Sequence, residues 1–238
     1  MTEALFLQDA YLREAPGRVV SSGAEGVVLD RSLFYARSGG QPGDAGVVTW
    51  AGGELPIAEA VKGDAGTVLL LPEDPEMALP QAGAEVVQSI DWARRLGHMR
   101  VHTALHLLSV VIPLPVTGGA ITAVKGRLDF DMPDAPEDKL ALEDALNALI
   151  ARDLPVTDTW ITDAELDANP GLVKTMSVQP PRGAGKIRLV AIGEGPDRVD
   201  LQPCGGTHVA RTAEIRPVRL GKIEKKGRAN RRVSLLIS

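Results

Sequence analysis

The sequence predicts an α+β protein in two parts: a small β-barrel-like N-terminal domain over residues 1–88, and a domain over 89–238 with helices packed on one antiparallel sheet. Three features point this way. The first half alternates short β-type runs with Gly-rich turns, a helical period begins around Asp91, and strand-type runs return towards the end. With 238 residues, 44% of them hydrophobic, the chain can bury one large core or two modest ones.

In the first half the runs GVVLD, AGVVTW, GTVLLLP and AEVVQSI read as strands, separated by the turn signals SSGAEG, SGGQPGDAG and VKGDAG. From Leu96 to Ile112 apolar residues recur mostly at three- and four-residue spacing, which predicts a helix closed by Pro113 and Pro115. VTGGA then reads as a turn and GRLDFDM as a strand. A second helix is expected from about Glu137 to Arg152, with Pro136 in its first turn. Thr162 and Glu165 form the capping box of a short helix that stops near Gly171. Four strand-like segments follow: KIRLVAIG, VDLQPCGGTHV, EIRPVRLGKIEKKG and NRRVSLLIS.

Composition narrows the function classes. No apolar run reaches the roughly 18 to 20 residues of a membrane helix, and the N-terminus lacks a signal-peptide pattern, so a cytoplasmic location without a membrane partner is expected. A lone cysteine forms no internal disulfide; Cys204 is a small buried hydrophobe, a reactive thiol or a metal ligand. The net charge of −5 hides an asymmetry, since residues 1–88 carry −8 and residues 89–238 carry +3. From Arg211 onward nine Lys or Arg face only Glu214 and Glu224. That excess suits a polyanion or a merely solvated face.

The chemistry concentrates in two short stretches. On a helix, His102 and His106 stand one turn apart on one face. Cys204 and His208 are also four apart, in PCGGTH. Three of the four histidines and the only cysteine thus fall into two pairs, and imidazole with thiolate is a zinc-type ligand set. Each pair alone is weak, because a buried histidine more often satisfies a hydrogen bond. His98, one turn upstream on the same face, is a substitute ligand or a polar neighbour; with four ligands already available, the second reading is favoured. Thr103 occupies the place where an H-E-x-x-H metallopeptidase has its glutamate, which disfavours that class. With 97 residues between His106 and Cys204, the site is not a zinc finger.

HTALH followed by CGGTH resembles the editing domain of alanyl-tRNA synthetases and their free-standing relatives, the AlaX-type alanyl-tRNA editing proteins. FYARSGGQPGDAG, Phe34 to Gly46, is similar to the glycine-rich motif in the N-terminal domain of the longer forms, and KGRANRRVSLLI is similar to their C-terminal end. The resemblance implies zinc held by His102, His106, Cys204 and His208. It implies hydrolysis of mischarged tRNA(Ala), chiefly the seryl and secondarily the glycyl form, by a monomer or weak homodimer. The rivals are a zinc-stabilised RNA-binding module without activity and a small-molecule zinc hydrolase whose basic tail is incidental.

Leu105 stands where many synthetases have threonine, and Gly118 roughly where they have glutamine; both fall where the amino acid is selected. Thr103 and Thr117 are hydroxyl candidates for the seryl side chain or threonines bonding their own backbone, and Gly205, Gly206 and Thr207 line the same region. The tRNA acceptor end would meet Arg94, Arg95, Arg100, Lys222, Lys225, Lys226, Arg228, Arg231 and Arg232 through its phosphates. Gly39, Gly40, Gln41 and Asp44 would form a tRNA-facing or interdomain loop, although composition alone reads them as a hairpin turn. With 3% aromatic residues, base stacking is expected to be scarce.

Overall fold

The structure is a computed structural model that describes residues 1–136, 138–176 and 185–237. The chain divides into two compact units, Met1–Leu96 and Gly97–Ser238. The first unit runs β1 (Glu3–Ala4), α1 (Leu5–Gln8), β2 (Glu14–Gly23), β3 (Gly26–Leu29), β4 (Arg31–Ser32), β5 (Gly46–Trp50), β6 (Gly53–Lys62), β7 (Val68–Pro72) and β8 (Glu85–Ile90). Six of these strands close into a barrel in the order β2-β3-β7-β6-β5-β8. Along β2 buried and exposed residues alternate, and Val19, Val27, Leu29, Val48, Leu55 and Leu70 fill the interior. Closure leaves the barrel with no free edge.

Two barrel strands were not foreseen. The β2 segment contains Pro16 and Gly17 and the β6 segment Pro56, which argue locally against a strand. Each strand carries a bulge, between Val19 and Ser21 in β2 and between Ile57 and Glu59 in β6. Such irregularities bend a strand around a small barrel.

α2 (Trp92–Val111) spans the division between the units. Asp91 caps it, accepting from the Arg94 N–H at 3.0 Å, and the chain turns away before Pro113. The second unit continues with β9 (Val116–Ile121), β10 (Lys125–Asp131), α3 (Lys139–Ala151), β11 (Val156–Ile161), α4 (Asp163–Ala168), β12 (Ile187–Ile192), β13 (Asp200–Pro203), β14 (Val218–Lys225) and β15 (Asn230–Ile237). These strands form two sheets, ordered β14-β15-β10-β9 and β11-β12-β13, rather than the single sheet expected. Two glycines let α2 lie close to the first sheet. A Cβ on Gly97 would stand 2.5 Å from the Ala123 carbonyl, and one on Gly126 would stand 2.6 Å from a Val101 methyl.

The expected VTGGA turn is strand β9, with Gly118 opposite Asp129 and Gly119 opposite Leu128; the reversal comes after it, where Thr122 bonds Lys125. Pro136 precedes α3 instead of opening it, and Asp138 caps that helix through the Ala141 N–H; Glu137 lies outside the described residues. The Thr162–Glu165 capping box forms as expected.

Candidate metal centre

The two histidines of α2 meet the residues that follow β13. His102, His106, Cys204 and His208 each offer one ligand atom, and these atoms all lie within 4.8 Å of one another. Cys204 Sγ is 3.5 Å from His102 Nε2 and 3.3 Å from His208 Nε2. Bonds of about 2.3 Å to sulfur and 2.0 Å to nitrogen, opened at the tetrahedral angle, separate S from N by about 3.5 Å. These two sulfur–nitrogen separations match the edge of a tetrahedron around a small divalent ion.

Their orientation is set from behind. The Thr103 hydroxyl donates to the Met99 carbonyl at 2.9 Å, so its single proton is used. Towards His208 Nδ1, at 3.1 Å, it can then only accept. His208 is thereby held with its proton on Nδ1 and the Nε2 lone pair towards Cys204. His106 is fixed likewise, its Nδ1 lying 3.0 Å from Asp200 Oδ2. Asp200 in turn accepts from Lys174 Nζ at 2.5 Å and from Gln202 Nε2 at 2.8 Å. A carboxylate behind a ligating imidazole fixes its tautomer and raises its basicity.

These neighbours also set the charge states. Burial works against ionising Asp200, yet the bond to His106 and the nearby Lys174 hold its pKa down to about 2. Burial likewise disfavours a charged His106, but Asp200 and Cys204 outweigh it and keep His106 up at about 9. Burial and the adjacent His102 push His208 down to about 3. The thiol of Cys204, opposed by burial but flanked by His102 and His208, sits well below its usual value. The cluster so favours a thiolate, a neutral His208 and a proton on His106 that an incoming cation would displace.

Strand alternation explains who shares the site. Asp200, Gln202 and Cys204 are two apart and fall on one face of the extended chain. This period-2 pattern in VDLQPC was the available signal for Asp200 and Gln202, which sequence reasoning missed; nothing local pointed to Lys174. The loop after Cys204 is stapled by Arg188, whose Nη1 donates to the carbonyls of Cys204 (3.2 Å) and Gly206 (2.9 Å). The Gly206 N–H points to Cys204 Sγ at 3.4 Å, Thr207 is buried, and Gly205 is exposed with open space where a side chain would be.

Several sequence-predicted contacts fall elsewhere. Thr103 is buried, and beyond the bonds above its hydroxyl accepts from the Val209 N–H. Leu105 is core, packed where β10 passes at Gly126. Thr117 donates to the Asp129 carbonyl and accepts from Asn230, and Gly118 lies beside the Asp129 side chain. His98 is buried and outside the four-residue cluster.

The charges assigned to phosphate fare unevenly. Arg95 is 0% exposed and its guanidinium grips Asp44, itself 1% exposed, so neither faces a nucleic acid. Gln41 is buried, and the Ser38–Gln41 segment is a tight turn whose Gly39 (φ 55°) and Gly40 (φ 83°) both adopt the left-handed backbone open to glycine. Arg94 donates to the Gly43 carbonyl and Arg100 to that of Glu214. Arg232 is bidentate on Asp129, Arg231 holds carbonyls of Pro133, Gly227 and Asn230, and Lys226 pairs with Glu224. Lys222, Lys225 and Arg228 are exposed.

Two cavities of about 590 and 600 Å³ open in the second unit, and the four ligand residues line neither. The second is bounded by Ser109, Pro113, Leu114, Lys174 and Met176. No helix among the described residues is long and apolar enough to cross a membrane.

Known proteins are similar to this chain in sequence. Residues 187–234 match the threonyl and alanyl tRNA synthetase second additional domain, and residues 6–94 match the class II (A) tRNA synthetase family. The alanyl-tRNA editing protein AlaX-M of Methanosarcina acetivorans is 35% identical, with 98% of each chain covered. AlaX-M of Saccharolobus solfataricus is 32% identical, again over 98% of both chains. The alanine–tRNA ligase of Pyrobaculum calidifontis is 34% identical over 94% of this chain, which corresponds to 25% of the ligase. With this identity running through both units and not through the histidine–cysteine cluster alone, the chain belongs to the AlaX-M family of alanyl-tRNA editing proteins.

Proposed function

We propose that the chain hydrolyses mischarged tRNA(Ala) in trans in the cytoplasm, removing chiefly serine and secondarily glycine, as a monomer or weak homodimer. The cofactor in this reading is zinc, held by His102, His106, Cys204 and His208. The observation that carries it is the convergence of two ligand pairs, 97 residues apart in sequence, on one cluster whose ligand atoms all lie within 4.8 Å of one another. When bound, zinc supplies a Lewis acid and a fixed point for orienting the ester.

The chain's own residues do the rest. Asp200 and Thr103 hold the imidazoles, Arg188 fixes the Cys204–Gly206 backbone, and the open space at Gly205 leaves room for an ester beside the thiolate. The aminoacyl bond is labile, so orientation and modest polarisation suffice. Serine exceeds alanine by one hydroxyl, and an apolar pocket separates such a pair only about a hundredfold. Selectivity thus requires polar groups that alanine would leave unpaired, and with Thr103 committed those groups come from the 205–207 backbone or Thr207. Residues 1–88 act as a β-rich tRNA-binding accessory and 89–238 as the editing domain. Lys222, Lys225 and Arg228, with Lys226, supply phosphate contacts, and the Gly39–Gly40 turn presents backbone.

The closed set of four protein donors favours a second reading, a zinc-stabilised RNA-binding module, because structural zinc sites keep no open position. One assay separates the two. Purified protein is mixed with seryl-, glycyl- and alanyl-tRNA(Ala), and ester loss is followed with and without chelator. Editing predicts rapid loss of the seryl ester, slower loss of the glycyl ester and a stable alanyl ester. Unchanged half-lives for all three would leave only the binding module.

A further inference from the structure

We propose that Trp160 is the stacking platform for the unpaired terminal base of the tRNA whose ester lies at the metal centre. The substrate's identity rests on the editing reading above; the place of the base rests on the register of the second sheet. Trp160 pairs directly with Arg188 across β11 and β12. The row continues to Cys204, whose N–H donates to the Arg188 carbonyl at 3.1 Å. Residues directly opposite in antiparallel strands share a face. Indole, guanidinium and thiol therefore form one row, on the face that also carries Asp200 and Gln202.

Spacing fits the ligand. Two interstrand steps of about 4.8 Å set the Trp160 backbone about 10 Å from that of Cys204. A ribose with its ester is of comparable length, so an ester at the ligand cluster brings the attached base over the indole.

Exposure singles this side chain out. The chain has eight aromatic residues; Trp160 is exposed, at 46%, and the others are buried or half-buried. Its neighbours Thr157, Asp158 and Thr159 are exposed too, and among the described residues β11 is an edge strand of its sheet. A bulky apolar ring on such an edge invites unwanted association and contributes little to folding. Arg188 beside it is immobilised by the carbonyls of Cys204 and Gly206 and by Asp158 at 3.3 Å. A base on the indole would thus lie next to a fixed cation, and stacking accepts any base because every base has a π-face. Discrimination is left to the aminoacyl end.

The test uses the full chain and a CCA trinucleotide with serine joined to its terminal ribose through an amide, which is not an ester substrate. Binding is measured by calorimetry for wild type, Trp160→Ala and Trp160→Phe. The alanine variant should bind about 5- to 100-fold more weakly, the range for losing one base-on-aromatic stack, while phenylalanine should stay within about threefold of wild type. Metal content and the salt dependence of binding should not change, because no phosphate contact is lost. On seryl-tRNA(Ala), Trp160→Ala should raise KM by a similar factor with kcat retained. Wild-type affinity in Trp160→Ala, equal losses in both variants, or no binding of the trinucleotide by wild type at millimolar concentration would each overturn the proposal. Trp160-dependent binding by a wild type that leaves seryl-tRNA(Ala) intact would break the editing reading alone.

Discussion

Each unit buries an aspartate, and the two are used differently. In the barrel unit Asp44 accepts from Arg95 and from the Tyr35 N–H at 2.6 Å, while Arg95 also reaches the carbonyls of Ala10 and Leu33. Every contact ends on backbone or on the partner charge. In the second unit Asp200 is as deeply buried, but its partner His106 has a second nitrogen that belongs to the ligand cluster. A buried carboxylate closed by arginine is an anchor. The same carboxylate closed by histidine passes its orientation on to whatever that histidine binds.

Breaking the anchor should have the largest effect. Asp44→Ala leaves a fully buried guanidinium without its counter-charge, at a cost of about 4 kcal/mol. Denaturant unfolding followed in the barrel unit should show that loss. If stability changes by less than about 1 kcal/mol, the pair is not the keystone described.

Acid should act on the other aspartate. Asp200 has a folded pKa of about 2, against about 3.9 in an unfolded chain. Its ionised form therefore stabilises the fold above pH about 4, and that contribution, about 2.5 kcal/mol, is lost as pH falls through about 2. The Asp200 share of the raised His106 is this same interaction seen from its partner, and Cys204 supplies the rest. Metal-free wild type should lose stability between pH 4 and 2 more steeply than Asp200→Asn; parallel curves would contradict the shift.

At neutral pH, Asp200→Asn should weaken metal binding about 10- to 100-fold while most of the fold stability remains, as loss of an outer-shell carboxylate does. A competition titration with a chelating dye measures this. The smallest effect belongs to a third carboxylate, Asp129, which faces Arg127 and Arg232 at a partly exposed site. Arg232→Ala should cost about 0.5 kcal/mol and leave metal affinity alone.

The contrast also shows what a sequence discloses. Ligand pairs and the α2 period are local patterns, and both could be read directly. Strand β2, broken by Pro16 and Gly17, and strand β6, broken by Pro56, exist because the closed barrel overrides local preference. Strand β9 looked like a turn because its glycines advertise flexibility that the pairing with β10 does not use. Charge was the least legible property. Arg95, Arg232 and Asp44 resembled a nucleic-acid surface until the fold showed each spending its charge on a partner. Composition made stacking scarce, and the register that sets the exposed Trp160 ring in one row with Cys204 has no local signature.

The account's central claim is that two pairs far apart in sequence build one metal centre. Elemental analysis of purified protein tests it most directly. Wild type should carry one zinc per chain, and the Cys204→Ala His208→Ala double variant, with its barrel unit still folded, should carry none. A metal-free wild type loaded by no added zinc, or full zinc in the double variant, would contradict it.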